Sequence, residues 1–147
     1  MLFKHECPAN TIKTTLEVAV KQDVRLGYAD LSGADLEGAN LEGANLKCSR
    51  LNGANLKDAN LFHADLRDSH LKDANLEGSN LKGAMLDGAI LDNANLEGAN
   101  LSYAFLKYTR LVSANLKGAN LKGARDLKHA AMKGAMLDGT ILEGADL

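Results

Sequence analysis

A leucine falls on every fifth residue from Leu26 to Leu121, without exception across twenty consecutive repeats. Around each leucine the text is nearly fixed: Ala two before, Asn or Asp one before, often Gly two after, as in Ala39-Asn40-Leu41-Glu42-Gly43. A period of five fits neither regular secondary structure. On a helix five residues advance about 500°, so successive leucines would wander round the axis. On a straight strand an odd step would throw them to opposite faces. Within one repeat, however, Ala and Leu are two apart, so a very short extended segment points both the same way. A corner of about 90° after each repeat then restores the inward direction, so that four repeats close one coil and residues twenty apart stack at strand spacing, roughly 4.8 Å.

The expected fold is therefore an all-β solenoid, a square β-helix with every Leu and Ala on a shared axis. Thirteen of the fourteen glycines stand two after the central residue, at the corner, where a type II turn demands φ > 0. The register holds to Leu121 and resumes as Leu127, Met132, Leu137, Leu142 and Leu147 after one extra residue, read as Arg125 and as a bulge at a corner. That makes about six coils at strand spacing.

The run ADLSGADLEGANLEGANL and its continuation resemble the pentapeptide repeat family, whose motif is A(D/N)LXX, over about five-sixths of the chain. The resemblance implies a right-handed quadrilateral β-helix. It implies less about function, because the family includes proteins that protect DNA gyrase from inhibitors, others with developmental or effector roles, and many without an assigned one.

Two segments are expected, residues 1–22 as a lead-in and capping element and 23–147 as the β-helix. Between Thr11 and Lys21, Ile12, Leu16, Ala19 and Val20 recur at helical spacing, with Asn10 or Thr11 able to cap, which predicts a short amphipathic α-helix. The rival is a strand with Leu16, Val18 and Val20 alternating. Either would cover the first coil, which has no preceding neighbour.

Because residues twenty apart stack, the outward positions sort into four columns. On the fourth face Asn40, Asn60, Asn80, Asn100 and Asn120 form an amide ladder, and on the third Asn55, Asn75, Asn95 and Asn115 form another that begins with Asp35. The third face is also the acidic one, gathering Asp35, Glu37, Asp58, Glu77, Glu97 and Asp138 against Lys57 and Lys117. The first two faces abandon the ladder. The first reads Arg25, Asn45, Asp65, Met85, Phe105 and Asp126, and the second Asp30, Arg50, His70, Ile90, Arg110 and Ala131. Met85, Ile90, Phe105, Tyr108, Arg110 and Val112 then gather in one region, with apolar groups facing water in a chain otherwise strictly patterned, which marks a candidate protein-interaction surface.

No catalytic, cofactor or metal site is expected. A convex rod offers no cleft where different groups converge. His5, His63, His70 and His129 are scattered, and His5-Glu6-Cys7 is too short for a metal motif. Cys7 and Cys48 are expected to be free thiols, and Ser49, Ser69 and Ser79 replace the small inward Ala and belong to the core. A net charge of -2 gives no reason to expect direct nucleic acid or membrane binding, and without a signal pattern or long apolar run the expected compartment is the cytoplasm.

The leading functional reading is a non-enzymatic rod that binds or scaffolds a protein partner. The alternative, implied by the resemblance, is a DNA-mimicking regulator or protector of a type II topoisomerase, acting through the acidic face. The chain lacks the loop insertions and C-terminal dimerising helix usual in those members. The C-terminal coil calls for cover by a partner, by a second copy docking end to end as a homodimer, or by further sequence, with the homodimer slightly favoured and Leu137, Leu142 and Leu147 as candidate end-to-end contacts.

Overall fold

The computed structural model describes residues 11–147. The expected lead-in, with His5, Cys7 and Pro8, lies outside the described residues. The chain opens with a helix, α1 (Ile12–Lys21), whose cap is Thr11: its side-chain oxygen accepts the backbone N–H of Thr14 at 3.3 Å. The helical spacing thus prevails over the alternating one. Leu16 is buried, Ala19 and Val20 are half-buried, and Ile12 is exposed. Only one turn of the apolar stripe seats against the solenoid.

From Ala29 to Arg125 the same local geometry recurs every five residues, a two-residue turn followed by a single extended residue. The extended residues pair in parallel with those twenty positions on, from Asp30↔Arg50 to Phe105↔Arg125. No named strand forms among the described residues, because the chain turns before a second residue can pair. Instead each coil donates to the next at fixed places: the N–H of Leu36 to the carbonyl of Asn55 at 2.7 Å, and that of Asn55 back to Ala34 at 2.9 Å. Within each corner the alanine N–H closes on the preceding leucine carbonyl, as Ala39 does on Leu36 at 3.0 Å. The backbone is therefore satisfied without long strands.

The core is the axis. The leucines from Leu31 to Leu121 and almost all of the alanines two before them are buried, as are Ser49, Ser69, Ser79 and Thr109 in alanine positions. Ser69 and Ser79 donate to the carbonyls of Leu66 and Leu76, and Thr109 to that of Leu86, whereas Ser49 Oγ has no partner. Corners hold positive φ whatever residue occupies them. Gly98 stands at 66°, and Cys48, Asp58, His63, Tyr103 and Tyr108 lie between 54° and 60°. Shape is set by the repeat, and glycine only lowers its cost.

The insertion sits one residue later than the sequence suggests. Arg125 keeps its place opposite Phe105, and bridging shifts to twenty-one only from Arg110↔Ala131. The extra residue is Asp126, at φ 58°, and it opens a 3₁₀ turn over Leu127–His129. Aspartate is one of the few residues that enters this left-handed region at low cost. Leu127 is buried beyond it, so the axis continues.

Candidate functional site

The first face is built from single residues presented between corners. Its column is Arg25, Asn45, Asp65, Met85, Phe105 and Arg125, with Arg125 where the sequence suggests Asp126. Lower on the face Arg67 clasps Asp65, its Nε and Nη2 reaching the two carboxylate oxygens at 2.9 and 2.7 Å. That guanidinium holds the Asp65 carboxyl below the usual carboxylate range, and the carboxylate in turn raises Arg67. Above them the chemistry changes. Met85 bridges to Phe105 and Phe105 to Arg125, whose guanidinium carbon lies 4.9 Å from the Phe105 ring centroid.

Tyrosines stand at both corners of this face. Tyr103 occupies the corner before Phe105 and lays its ring over Gly123, where an added Cβ would meet Tyr103 Cδ1 at 2.7 Å. Tyr108 occupies the corner after it, 63% exposed, with Lys107 Nζ 5.3 Å from its ring centroid and the His129 ring at 5.7 Å. On the second face Ile90 bridges to Arg110, which is paired with Asp92.

The candidates Met85, Ile90, Phe105, Tyr108, Arg110 and Val112 are thus brought into one region. Their exposure differs from expectation: Met85, Ile90, Phe105 and Val112 are half-buried, and the open groups are Tyr108 and Arg110. Stacking is the reason. A side chain in a column is flanked by residues above and below and shows water mainly its tip. Tyr103, Lys107, Arg125 and His129 complete the patch and were not legible as part of it, because column arithmetic ignores how far a side chain reaches sideways.

The acidic face is embroidered by amides. Asn55 Nδ2 donates to Asp35 at 3.1 Å and Glu37 at 3.2 Å, and Asn115 Nδ2 to Glu97 at 3.0 Å. Lys57 pairs with Glu77 at 2.9 Å. Asp58 folds over the Gly78 corner. The ladders themselves form, with Asn60 to Asn40 at 3.2 Å, Asn80 to Asn60 at 3.1 Å and Asn95 to Asn75 at 3.2 Å. Asp138 lies farther along the same face and is exposed.

At the C-terminal coil Met136, Leu137, Ile141 and Leu147 are exposed, Leu147 to 70%, while Leu142 is half-buried. Among the described residues there is no His/Cys/Asp/Glu group able to hold a metal ion, and Cys48 is a half-buried free thiol. No helix among them is long and apolar enough to cross a membrane.

Comparison with known proteins bears on this architecture. The sequence model of a family described as pentapeptide repeats matches residues 22–58, 59–98 and 94–125, in 8 copies. HetL, a pentapeptide repeat protein involved in heterocyst differentiation regulation from the cyanobacterium Nostoc sp. strain PCC 7120, is 38% identical over 83% of this chain, with a TM-score of 0.53. The match spans 63% of HetL. The pentapeptide repeat protein Rfr23 from the cyanobacterium Cyanothece 51142 is 30% identical over 87% of this chain and 97% of its own, with a TM-score of 0.70. A pentapeptide repeat protein of the Arabidopsis thaliana thylakoid lumen is 32% identical over 67% of this chain and 65% of its own, at a TM-score of 0.53. A search of curated proteins finds no match.

Proposed function

The chain belongs to the pentapeptide repeat family, whose members are right-handed β-helix solenoids, and from that footing we propose that it is a non-enzymatic binding rod of about six quadrilateral coils, docking a protein partner on the upper half of its first two faces. One observation carries the reading. On the third and fourth faces every column residue from Asn55 to Asn120 is asparagine, and only the last coil departs with Met136 and Ile141, yet on the first face the column reads Asp65, Met85, Phe105, Arg125, bracketed by Tyr103 and Tyr108. The axis does not require this change, since Leu86 and Leu106 beneath it are buried just as Leu96 and Leu101 are. Aromatic and arginine side chains on a rigid support are what protein interfaces concentrate. HetL, at 38% identity, is described as involved in heterocyst differentiation regulation, a role compatible with a binding rod.

DNA mimicry by the acidic face has less support. Lys57 and Lys117 interrupt that column, and the carboxylates of Asp35, Glu37 and Glu97 already accept from the asparagine ladder. Site-specific photocross-linking separates the readings. A photoreactive residue at Tyr108 should trap a partner in native lysate, and one at Glu77 should not. Trapping from Glu77 alone overturns the proposal.

The C-terminal coil supports one further reading, a second copy docking on it. Its observation is the exposed row Met136, Leu137, Ile141 and Leu147. Light scattering should then find a mass near twice 15.6 kDa that falls to one copy in Leu142→Lys. A monomer at high concentration removes it.

A further inference from the structure

Five arginines lie on the first two faces, and three are engaged: Arg50 with Asp30, Arg67 with Asp65, Arg110 with Asp92. Arg25 and Arg125 make no ion pair among the described residues. Of these two, only Arg125 rests on an aromatic ring, Phe105. A guanidinium over a ring face is held in place, while the N–H groups around its edge remain free to donate. Of the carboxylates of this face, Asp65 is paired with Arg67 and Asp146 with Lys128 at 3.1 Å, while Asp87 accepts the Lys107 backbone N–H at 3.1 Å. Asp126, adjacent in sequence, makes no ion pair with Arg125. Lys107 is likewise uncompensated and set against a ring, that of Tyr108.

Two cations set over aromatic rings thus make no ion pair among the described residues, in a chain whose net charge is -2. We infer that the first-face patch is a carboxylate-recognition site for an acidic segment of the partner protein, with Arg125 as the bidentate donor, Lys107 as the second cation, and Phe105 as the residue that positions Arg125. This rests on the protein-binding reading above. Single-stranded nucleic acid is the less fitting ligand, because it requires cations that track a phosphate backbone, and the column below Arg125 reads Phe105, Met85, Asp65.

The test is fluorescence anisotropy with a labelled oligoglutamate peptide at low and moderate salt, with labelled oligothymidylate as comparison. Wild type should bind oligoglutamate in a salt-sensitive way. Arg125→Ala should weaken it by about tenfold or more, Arg125→Lys should restore it only in part, and Arg25→Ala should leave it unchanged. Phe105→Leu, which keeps apolar bulk and removes the ring, should weaken binding without lowering the melting temperature. Equal losses in Arg25→Ala and Arg125→Ala would show diffuse attraction and overturn the inference, as would tighter, Arg125-dependent binding of oligothymidylate. If cross-linking at Tyr108 traps a partner while oligoglutamate ignores Arg125→Ala, the acidic assignment falls and the binding rod stands. If oligoglutamate binding depends on Arg125 and no protein is trapped, the reverse holds.

Discussion

Glu17 of α1 accepts the backbone N–H of Asn40 at 2.9 Å, in the place where the carbonyl of a preceding coil would stand. One coil later the same donor position, Asn60, is taken by the carbonyl of Ala39 at 2.9 Å. Lys13 completes the substitution from the other side, its Nζ donating to the Glu37 carbonyl at 2.7 Å. The helix thus caps the solenoid with side-chain charge in place of missing backbone, and Leu16 covers the axis.

Glu17→Ala should therefore cost about 1 kcal/mol, and Leu16→Ala about 2–4 kcal/mol. In a domain of this size each kcal/mol lowers the melting temperature by roughly 2–4 °C. Thermal melts check the order. A Glu17→Ala variant at least as damaging as Leu16→Ala would mean that the cap works by charge and not by covering the axis.

Leu76 and Glu77 are adjacent in sequence and opposite in fate, one fully buried and the other paired with Lys57 on an exposed face. Leu76→Asp should unfold the domain, since an unpaired buried carboxylate costs several kcal/mol. Glu77→Ala should be nearly silent, because exposed ion pairs contribute about 0–1 kcal/mol. Circular dichroism during heating should show a lost transition in the first and a near wild-type one in the second.

Most of this architecture was legible in the sequence because the fold and the text share one period. Leu31 to Leu121 could be placed on the axis and Asn40 to Asn120 in a ladder by counting alone. Counting fails where the period does. Between Leu121 and Leu127 the text does not say whether Arg125 or Asp126 is the extra residue. The choice is made by backbone conformation, since Asp126 accepts positive φ and Arg125 then stays over Phe105. The same limit hid Tyr103 and Lys107, whose membership of the patch depends on side-chain reach.

Corners offer a finer test of stacking. Gly98 and Gly123 share nearly the same φ, 66° and 63°, but an added Cβ at Gly98 meets nothing within 4 Å, whereas at Gly123 it meets the Tyr103 ring. Gly98→Ala should cost about 1–2 kcal/mol for the left-handed backbone. Gly123→Ala should cost more, and the excess should vanish in a Tyr103→Gly background, since Gly98, which stacks on Gly78, is open. Equal destabilisation of the two single variants by urea titration would place the Tyr103 ring elsewhere.

The central claim is that the first-face stack serves binding and not folding, and the double variant Met85→Asn/Phe105→Asn tests it most directly. It extends the asparagine ladder across the column and leaves Leu86 and Leu106 in place. Its melting temperature, measured beside capture of the partner cross-linked at Tyr108, should equal or exceed that of wild type while capture is lost. A variant that melts well below wild type would contradict the account, showing Met85 and Phe105 to be part of what holds the rod together.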